Sequence, residues 1–255
     1  MNRRKFIALL GGAGIGLMAG RSQAEDGDPT AEIGRKFNAD GTPYPFRGNT
    51  FICKVRQGPD APYFRALRDA HTDLRNQPFF GKIAVLPLSS YHMTVFDGAN
   101  DQARKPGLWP TGLPYDAPIE ECDREVARRL ADFPLEAALP IRMRADPTRQ
   151  ETFGTSLSVT LRPADEAEER KLRRLRDRLS DAVGIRAPGH DSYRFHTTLA
   201  YILRQLSAAE AEAARRAMAR WAASAAEAEP VIAFDSPEFC TYDDMFAYKR
   251  VFALS

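Results

Sequence analysis

The sequence predicts an α+β fold in which two similar lobes, each a mainly antiparallel sheet backed by helices, enclose a central cleft. The first observation is that the two halves of the chain repeat one order of elements: strand, helix, strand, helix, strand. The second is that the middle strand of each half carries His-x-Thr, at His92 and at His196. The third is length, because about 230 residues beyond a leader-like start can bury the core of one domain or of two tightly joined lobes.

Residues 1–24 have the composition of an export signal. Arg3 and Arg4 precede an apolar, glycine-rich stretch, and residues 22–24 (Ser-Gln-Ala) fit a small-x-small cleavage site. The arginine pair followed by x-Phe resembles a twin-arginine signal, and a Sec signal or an uncleaved anchor are the alternatives. We therefore expect a periplasmic or secreted protein that has no stable membrane association after cleavage.

We expect an extended, polar arm over residues 25–48 and the two-lobed domain over residues 49–255, whose first half follows the arm. Apolar spacing at Phe64, Leu67 and Leu74 predicts a helix. The predicted elements are a strand at 50–56, a helix at 62–76, a strand at 82–88 leading into the His92 strand, a loop at 98–117, a helix at 119–132 and a strand at 135–144.

The second half repeats this order with a longer, more charged helix. The predicted elements are a strand at 155–161, a helix at 164–183, the His196 strand, an alanine-rich helix at 207–226 and strands at 231–239 and 245–254. The helix at 164–183 has its acidic residues first and its basic residues later, as the helix dipole favours. This pattern indicates a solvated helix face rather than a nucleic-acid patch.

The two His-x-Thr runs are the candidate catalytic groups. Residues i and i+2 of a strand point to the same face, so each run offers one imidazole and one hydroxyl side by side. One imidazole can take a proton while the other gives one, and hydroxyls can donate to phosphoryl oxygens. A single His-x-Thr strand is more often structural, but a pair in matched strands favours function. The other two histidines, His71 and His190, lack this strand context.

Charge and composition narrow the ligand class. After residue 24 the chain has 32 basic and 34 acidic residues, a net charge of −2, which is poorly suited to binding long nucleic acid. A small nucleotide or a short RNA end is the expected substrate, and a monomer is the expected oligomeric state.

We expect no metal and no cofactor, because no metal-ligand spacing surrounds either motif. Cys53, Cys122 and Cys240 also lack metal-ligand spacing, and the sequence assigns no disulfide among them.

The motifs and their surroundings resemble a known family. The segments Leu-Pro-Leu-Ser-Ser-Tyr-His-Met-Thr-Val-Phe at 86–96, Gly-Asn-Thr-Phe at 48–51 and His-Thr-Thr-Leu at 196–199 are similar to the 2H phosphoesterase superfamily, in its 2H-phosphodiesterase-like branch. The resemblance covers roughly residues 35–255. It implies the duplicated 2H phosphoesterase fold and metal-independent hydrolysis or formation of 2′,5′ or 2′,3′-cyclic phosphodiesters. It also implies that His92 and His196 are the acid/base pair and that Thr94 and Thr198 bind the phosphate.

Strand alternation and one loop predict further substrate contacts. Alternation places Arg194 on the face of His196 and Phe96 on the face of His92. It places three tyrosines on the opposite face: Tyr91, Tyr193 and Tyr201. The loop at 98–117 holds Trp109 and Tyr115, which are suited to stacking on a nucleobase. For proton transfer we expect both histidine pKa values near neutrality.

Two other functions stay open on the sequence alone. The same cleft could hold a nucleotide without turnover, although a non-catalytic site has no chemical need for both histidines and both threonines. The reaction could also run in the opposite direction, as an RNA-end ligase-type activity. The sequence does not fix the substrate, the direction, or which histidine is the acid. It contains no Gly-x-Ser-x-Gly nucleophile elbow and no P-loop, so it favours neither a serine hydrolase nor a nucleoside triphosphatase.

Overall fold

The computed structural model describes residues 27–149 and 155–255, and the predicted export signal at 1–24 lies outside them. Within these ranges the chain forms nine strands and four α-helices. The strands are β1 Gly48–Lys54, β2 Ile83–Val85, β3 His92–Asn100, β4 Ile141–Ala145, β5 Ser156–Pro163, β6 His196–Ile202, β7 Ile232–Phe234, β8 Glu238–Tyr242 and β9 Lys249–Ala253. The helices are α1 Pro62–Asp73, α2 Ile119–Arg129, α3 Glu166–Val183 and α4 Ala208–Ala228.

The strands form two sheets whose pairings are all antiparallel. One sheet has the order β3-β1-β8-β9 and the other the order β2-β6-β5-β4-β7. The predicted α+β fold with two mainly antiparallel lobes is therefore confirmed. Each motif strand has a long antiparallel neighbour from its own half of the chain, β1 for β3 and β5 for β6.

The halves exchange strands, which the linear repeat did not predict. β2 comes from the first half but pairs with β6, and β8 and β9 come from the C-terminal end but complete the first sheet. The single strand predicted at 231–239 is wrong, because β7 and β8 are separate strands in different sheets. Pro237 lies between them, and a proline has no N–H to donate to a continuous ladder.

Helix ends follow local sequence chemistry, and the helices cover the sheets. Asp165 caps α3 by accepting a hydrogen bond from the Glu168 backbone N–H at 2.9 Å. The helix ends at Gly184, whose φ of 72° is the left-handed conformation that glycine adopts without strain. Ser207 and Glu210 form a capping box at the start of α4. Arg176 is the basic residue of α3 that departs most from the predicted solvated face, because it is buried and donates to the backbone oxygens of Val95 and His190.

The arm packs across both lobes. Its Thr30 backbone N–H donates to the Leu203 oxygen at 2.8 Å, at the end of β6 in the second lobe. The Phe46 N–H donates to the Asp243 oxygen at 2.8 Å, just after β8 in the first lobe. Between these points Phe37 has no exposed surface. The arm therefore belongs to the packed structure and brings its side chains to the cleft between the lobes.

Cys53, Cys122 and Cys240 are all buried and unpaired as thiols. In the part of the chain that the structure describes, no helix is both long and apolar enough to cross a membrane.

Candidate active site

A cavity of about 340 Å³ lies between the two sheets, and its lining includes all four motif side chains: His92, Thr94, His196 and Thr198. β3 supplies the first pair and β6 the second, so the two lobes face each other across this space. The buried alternate positions Met93, Val95 and Leu199 anchor the same strands in the core, as period-two alternation predicts. The structure thus brings together the four residues that the sequence singled out.

Both imidazoles are held by the same local contact. His92 Nδ1 lies 2.7 Å from the backbone oxygen of Ser90, and His196 Nδ1 lies 3.0 Å from the backbone oxygen of Arg194. A carbonyl oxygen only accepts hydrogen bonds, so each Nδ1 is the protonated nitrogen and donates. In the neutral ring Nε2 is then the basic nitrogen. Equivalent contacts two residues upstream give the two histidines the same tautomer and a fixed ring orientation.

The site lowers the pKa of both histidines. The pKa of His92 is lowered to about 4, mainly by burial; the charges of His196 and Lys54 act in the same direction, and the Ser90 carbonyl opposes them. Burial also lowers the pKa of His196, and the neighbouring cations Arg194 and Lys36 act in the same direction. The expectation of two values near neutrality is therefore wrong for the protein by itself. A phosphate anion between the rings would stabilise the charged forms and raise both values.

The threonine hydroxyls have polar neighbours that fix their positions. Ser158 on β5 is buried, and its Oγ lies 3.3 Å from Thr198 Oγ1 and 3.2 Å from Ser156 Oγ. On the other side of the cleft the Tyr193 hydroxyl hydrogen-bonds with Thr94. These contacts orient each hydroxyl while it still lines the cleft.

A β-bulge follows each motif and changes which residues face the cleft. β1 pairs Ile52 with Thr94 and Phe51 with Phe96, so Val95 is an extra residue on β3. β5 shows the same irregularity opposite β6, where Leu199 is the extra residue between Thr198 and Ala200. An extra residue reverses the alternation beyond it. Residues five positions after each histidine therefore line the cleft, Asp97 on β3 and Tyr201 on β6.

The bulges correct two predicted positions. Phe96 is buried, with its ring 5.7 Å from that of Phe51, and it does not line the cleft as the motif alternation predicted. Tyr201 lines the cleft although alternation placed it on the opposite face. Tyr193 also lines the cleft, because it lies before β6 begins and strand alternation does not apply to it. Tyr91 is buried, as predicted, and hydrogen-bonds with His71 at 2.9 Å.

The other three predicted substrate contacts are not in the cleft lining. Arg194 lies two residues before β6 and lines a neighbouring cavity of about 410 Å³. Its backbone oxygen accepts a hydrogen bond from His196, and its charge lowers the pKa of that imidazole. Trp109 is buried, and its indole N–H donates to the Pro114 oxygen at 3.0 Å, so this ring belongs to the core. Tyr115 is half exposed on the surface of the same loop.

Aromatic side chains that sequence reasoning missed complete the cleft. The ring of Tyr248 meets that of His92 edge-to-face with centroids 4.4 Å apart, and the ring of Tyr242 lies 5.5 Å from that of Tyr248. Tyr193 stacks beside His196 at 6.4 Å. Tyr242 ends β8 and Tyr248 precedes β9, so both reach the cleft only through the strand exchange. No local pattern in the sequence indicated them.

Charged residues that the sequence did not single out also line the cleft. Asp97 lies on its wall, and burial among protein groups raises the pKa of this carboxyl. Arg35 and Lys36 come from the arm, for which the sequence predicted no role in the site. The cleft therefore combines the imidazoles and hydroxyls with two cations and one carboxylate.

The remaining histidines lie elsewhere. His71 hydrogen-bonds with Tyr91, and His190 is buried with Nε2 2.9 Å from Asp177 Oδ1. Among the residues described, the grouping with metal-ligand spacing consists of Asp177, His190 and Asp191. Arg186 already forms ion pairs with both of these aspartates. The motif histidines are not part of this group.

A family model matches the first part of the chain. Residues 36–154 match the family model 2H-phosphodiest, described as a domain of unknown function (DUF1868). This match supports the 2H phosphoesterase family. It includes the first motif and Lys36 but not the second motif.

A solved structure extends the likeness to nearly the whole chain. The crystal structure of a conserved protein of unknown function from Agrobacterium tumefaciens strain C58 is similar, with a TM-score of 0.80 and 28% sequence identity. The alignment covers 92% of this chain and 97% of that one. No curated protein matches the chain. The likeness therefore supports the two-sheet fold, while the family match indicates a phosphoesterase.

Proposed function

We propose that this protein is a metal-independent phosphodiesterase that hydrolyses a cyclic or 2′-linked nucleotide phosphodiester. The observation that carries the proposal is the pair of imidazoles from opposite sheets that line one cleft. Each is held in the same tautomer by a carbonyl two residues upstream. Two proton transfers accompany the replacement of one oxygen by another at phosphorus, and two such imidazoles can carry both of them.

The lowered pKa of His92 favours one assignment of roles. His92, with its pKa lowered to about 4, is neutral at working pH and serves as the base. His196, whose pKa burial also lowers, serves as the acid when it is protonated. Enzymes often separate acid from base by giving two titratable groups different surroundings. The negative phosphate would help to keep the proton on His196.

The proposed step balances as follows. A water oxygen attacks phosphorus, and its proton passes to Nε2 of His92. The bond from phosphorus to the ribose oxygen breaks, and that oxygen takes the proton from Nε2 of His196. Thr94 and Thr198 donate hydrogen bonds to the non-bridging oxygens as charge shifts onto them. Proton exchange with solvent then restores both histidines, so the cycle needs no other reactant.

The rest of the cleft fits a nucleotide of limited size. Its volume of about 340 Å³ lies within the usual range of small-molecule sites. Tyr193, Tyr242 and Tyr248 offer ring faces and hydroxyls to a base or a ribose. The net charge of −2 beyond residue 24 does not favour a long polyanion. We therefore expect mononucleotides or short RNA ends rather than duplexes.

A substrate screen tests the proposal. The chain from Glu25 onward would be purified, freed of divalent ions with EDTA, and assayed against 2′,3′-cyclic nucleotides, 3′,5′-cyclic nucleotides and ADP-ribose cyclic phosphate. The matched control is the His92→Ala/His196→Ala double variant. Hydrolysis by the wild type alone, with EDTA present, would support the proposal. Binding without turnover would favour a non-catalytic nucleotide-binding protein, and activity that returned only with an added divalent ion would exclude the metal-independent reaction.

A further inference from the structure

The arm forms a compact turn that is anchored between the lobes. The backbone oxygen of Glu32 accepts hydrogen bonds from the N–H groups of Lys36 at 2.9 Å and Phe37 at 3.1 Å. The fully buried ring of Phe37 packs against Tyr201 of β6, at 5.3 Å between centroids, and against Phe246, at 6.2 Å. Phe37 therefore fixes the position of its neighbour Lys36 relative to the motif strand β6.

A buried carboxylate holds the cations of this turn. The Glu32 side chain is 8% exposed, and its Oε1 accepts a hydrogen bond from Thr155 Oγ1 at 2.7 Å, just before β5. Its Oε2 lies 3.0 Å from Arg35 Nη1 and 3.5 Å from Lys36 Nζ. The longer distance to Lys36 leaves the ammonium with a loose partner, so its N–H groups can turn toward another anion.

Lys36 lies beside the catalytic groups. Its Nζ is 4.3 Å from the centre of the Tyr201 ring, and its side chain lines the cleft with 14% exposure. Its charge acts on His196 and on Asp97. An ammonium group in a partly desolvated cleft attracts an anion more strongly than one on the surface, because the effective dielectric constant is lower there. Burial lowers the pKa of Lys36 itself, a shift that a bound anion would oppose.

We propose that Lys36 is the phosphate-binding cation of the cleft, held there by Glu32 and Phe37 as positioning residues. Its ammonium neutralises a non-bridging oxygen of the phosphodiester on the side of His196. The sequence predicted a substrate contact for Arg194, a residue that lines the neighbouring cavity. The identity of the full substrate rests on the proposed function, but binding of a phosphate group does not.

Phosphate binding tests the proposal without any turnover. Inorganic phosphate would be titrated into the protein at low ionic strength, with the imidazole resonances of His92 and His196 as reporters. Lys36→Met keeps most of the aliphatic stem over the Tyr201 ring but removes the charge, and we expect it to weaken phosphate binding about tenfold. Lys36→Arg should restore binding to within about threefold of the wild type. Unchanged affinity in a folded Lys36→Met protein would overturn the proposal.

A second lysine provides the matched control. Lys82 has a similar exposure, 13%, and is ion-paired with Glu210 at 2.8 Å, but it does not line the cleft. Lys82→Met should leave phosphate affinity at the wild-type value. An equal loss in both methionine variants would mean that the effect of Lys36→Met is a general one, and it would count against a phosphate site at Lys36.

The pKa of His196 provides an independent test. If Lys36 had only a structural role, its replacement would not be expected to raise this pKa. The charged or titratable groups facing His196 are Lys36, Arg194, His92 and Tyr193, with Asp97 further along β3. Removing the positive charge of Lys36 should raise the pKa of His196 in the absence of phosphate. A pKa of His196 that stays the same or falls in Lys36→Met would contradict the placement of the ammonium.

The outcomes separate this proposal from the proposed function. If no phosphodiester in the screen is hydrolysed while phosphate binds through Lys36, the hydrolase proposal fails and the binding site stands. If hydrolysis occurs while Lys36→Met changes neither phosphate affinity nor the pKa of His196, the hydrolase stands and the role of Lys36 is wrong.

Discussion

Replacing Phe37 by Ala should loosen the arm and destabilise the protein. The ring has no exposed surface and packs between Tyr201 and Phe246. Truncation of a buried phenylalanine to alanine typically costs about 3–5 kcal/mol, through lost transfer free energy and the cavity left behind. For a domain of this size each kcal/mol lowers Tm by about 2–4 °C. We therefore expect Tm to fall by about 6–20 °C.

The assay combines urea denaturation with limited proteolysis. Denaturation gives the free energy of unfolding, and proteolysis reports whether cleavage begins within residues 27–47. The matched control is Phe80→Ala, because Phe80 is 40% exposed and its loss should change stability by less than about 1 kcal/mol. Phe37→Ala should also weaken phosphate binding, since Lys36 is its neighbour. A loss below about 1 kcal/mol together with a protease-resistant arm would refute the role of Phe37 as an anchor.

The other predictions concern the chemistry and the N-terminus. The pH profile of kcat/KM for the hydrolysis should be bell-shaped. Its rising limb should have a pKa of about 4, where His92 loses its proton, and its falling limb should follow the loss of the proton from His196, whose pKa burial lowers from its ordinary value of 6.5. A pH–rate profile with its optimum above pH 7.5 would contradict the assignment. Thr94→Ala or Thr198→Ala should lower kcat by about ten- to a thousandfold, since each removes one donor to the transition state. Single-turnover kinetics measures the rate of the chemical step, and an unchanged rate would show that the threonine has only a structural role. N-terminal sequencing of exported protein should find Glu25 first, and retention of the preceding residues would disprove a cleaved signal.

The parts of the site that depend on local pattern could be predicted. The alternation that buries Met93 and Val95 also turns His92 and Thr94 to one face, and it needs only the period of a strand. The prediction failed beyond Thr94, where a bulge puts Asp97 rather than Phe96 into the cleft. A bulge is defined by the register with the partner strand, which the sequence of β3 alone does not contain.

The parts that depend on distant segments could not be predicted. Lys36 and Tyr248 lie 50 or more residues from either motif and reach the cleft through the arm and the exchanged C-terminal strands. The prediction that Trp109 contacts the substrate was wrong for a related reason. The glycine- and proline-rich composition of its loop does not indicate that the Trp109 indole is buried and hydrogen-bonded to Pro114. One available signal was missed, because Pro237 within the predicted strand at 231–239 indicates a break.

The central claim is that His92 and His196 act as one acid/base unit. The most direct test is the turnover of a 2′,3′-cyclic nucleotide by His92→Ala, His196→Ala and the double variant, with His71→Ala as the control outside the cleft. Each single variant should lose about 10²–10⁴-fold in kcat. The double variant should be only slightly worse than either, because groups that act together are strongly non-additive. Single variants that keep more than about a tenth of wild-type kcat, or a double variant whose loss is the product of both single losses, would contradict the account.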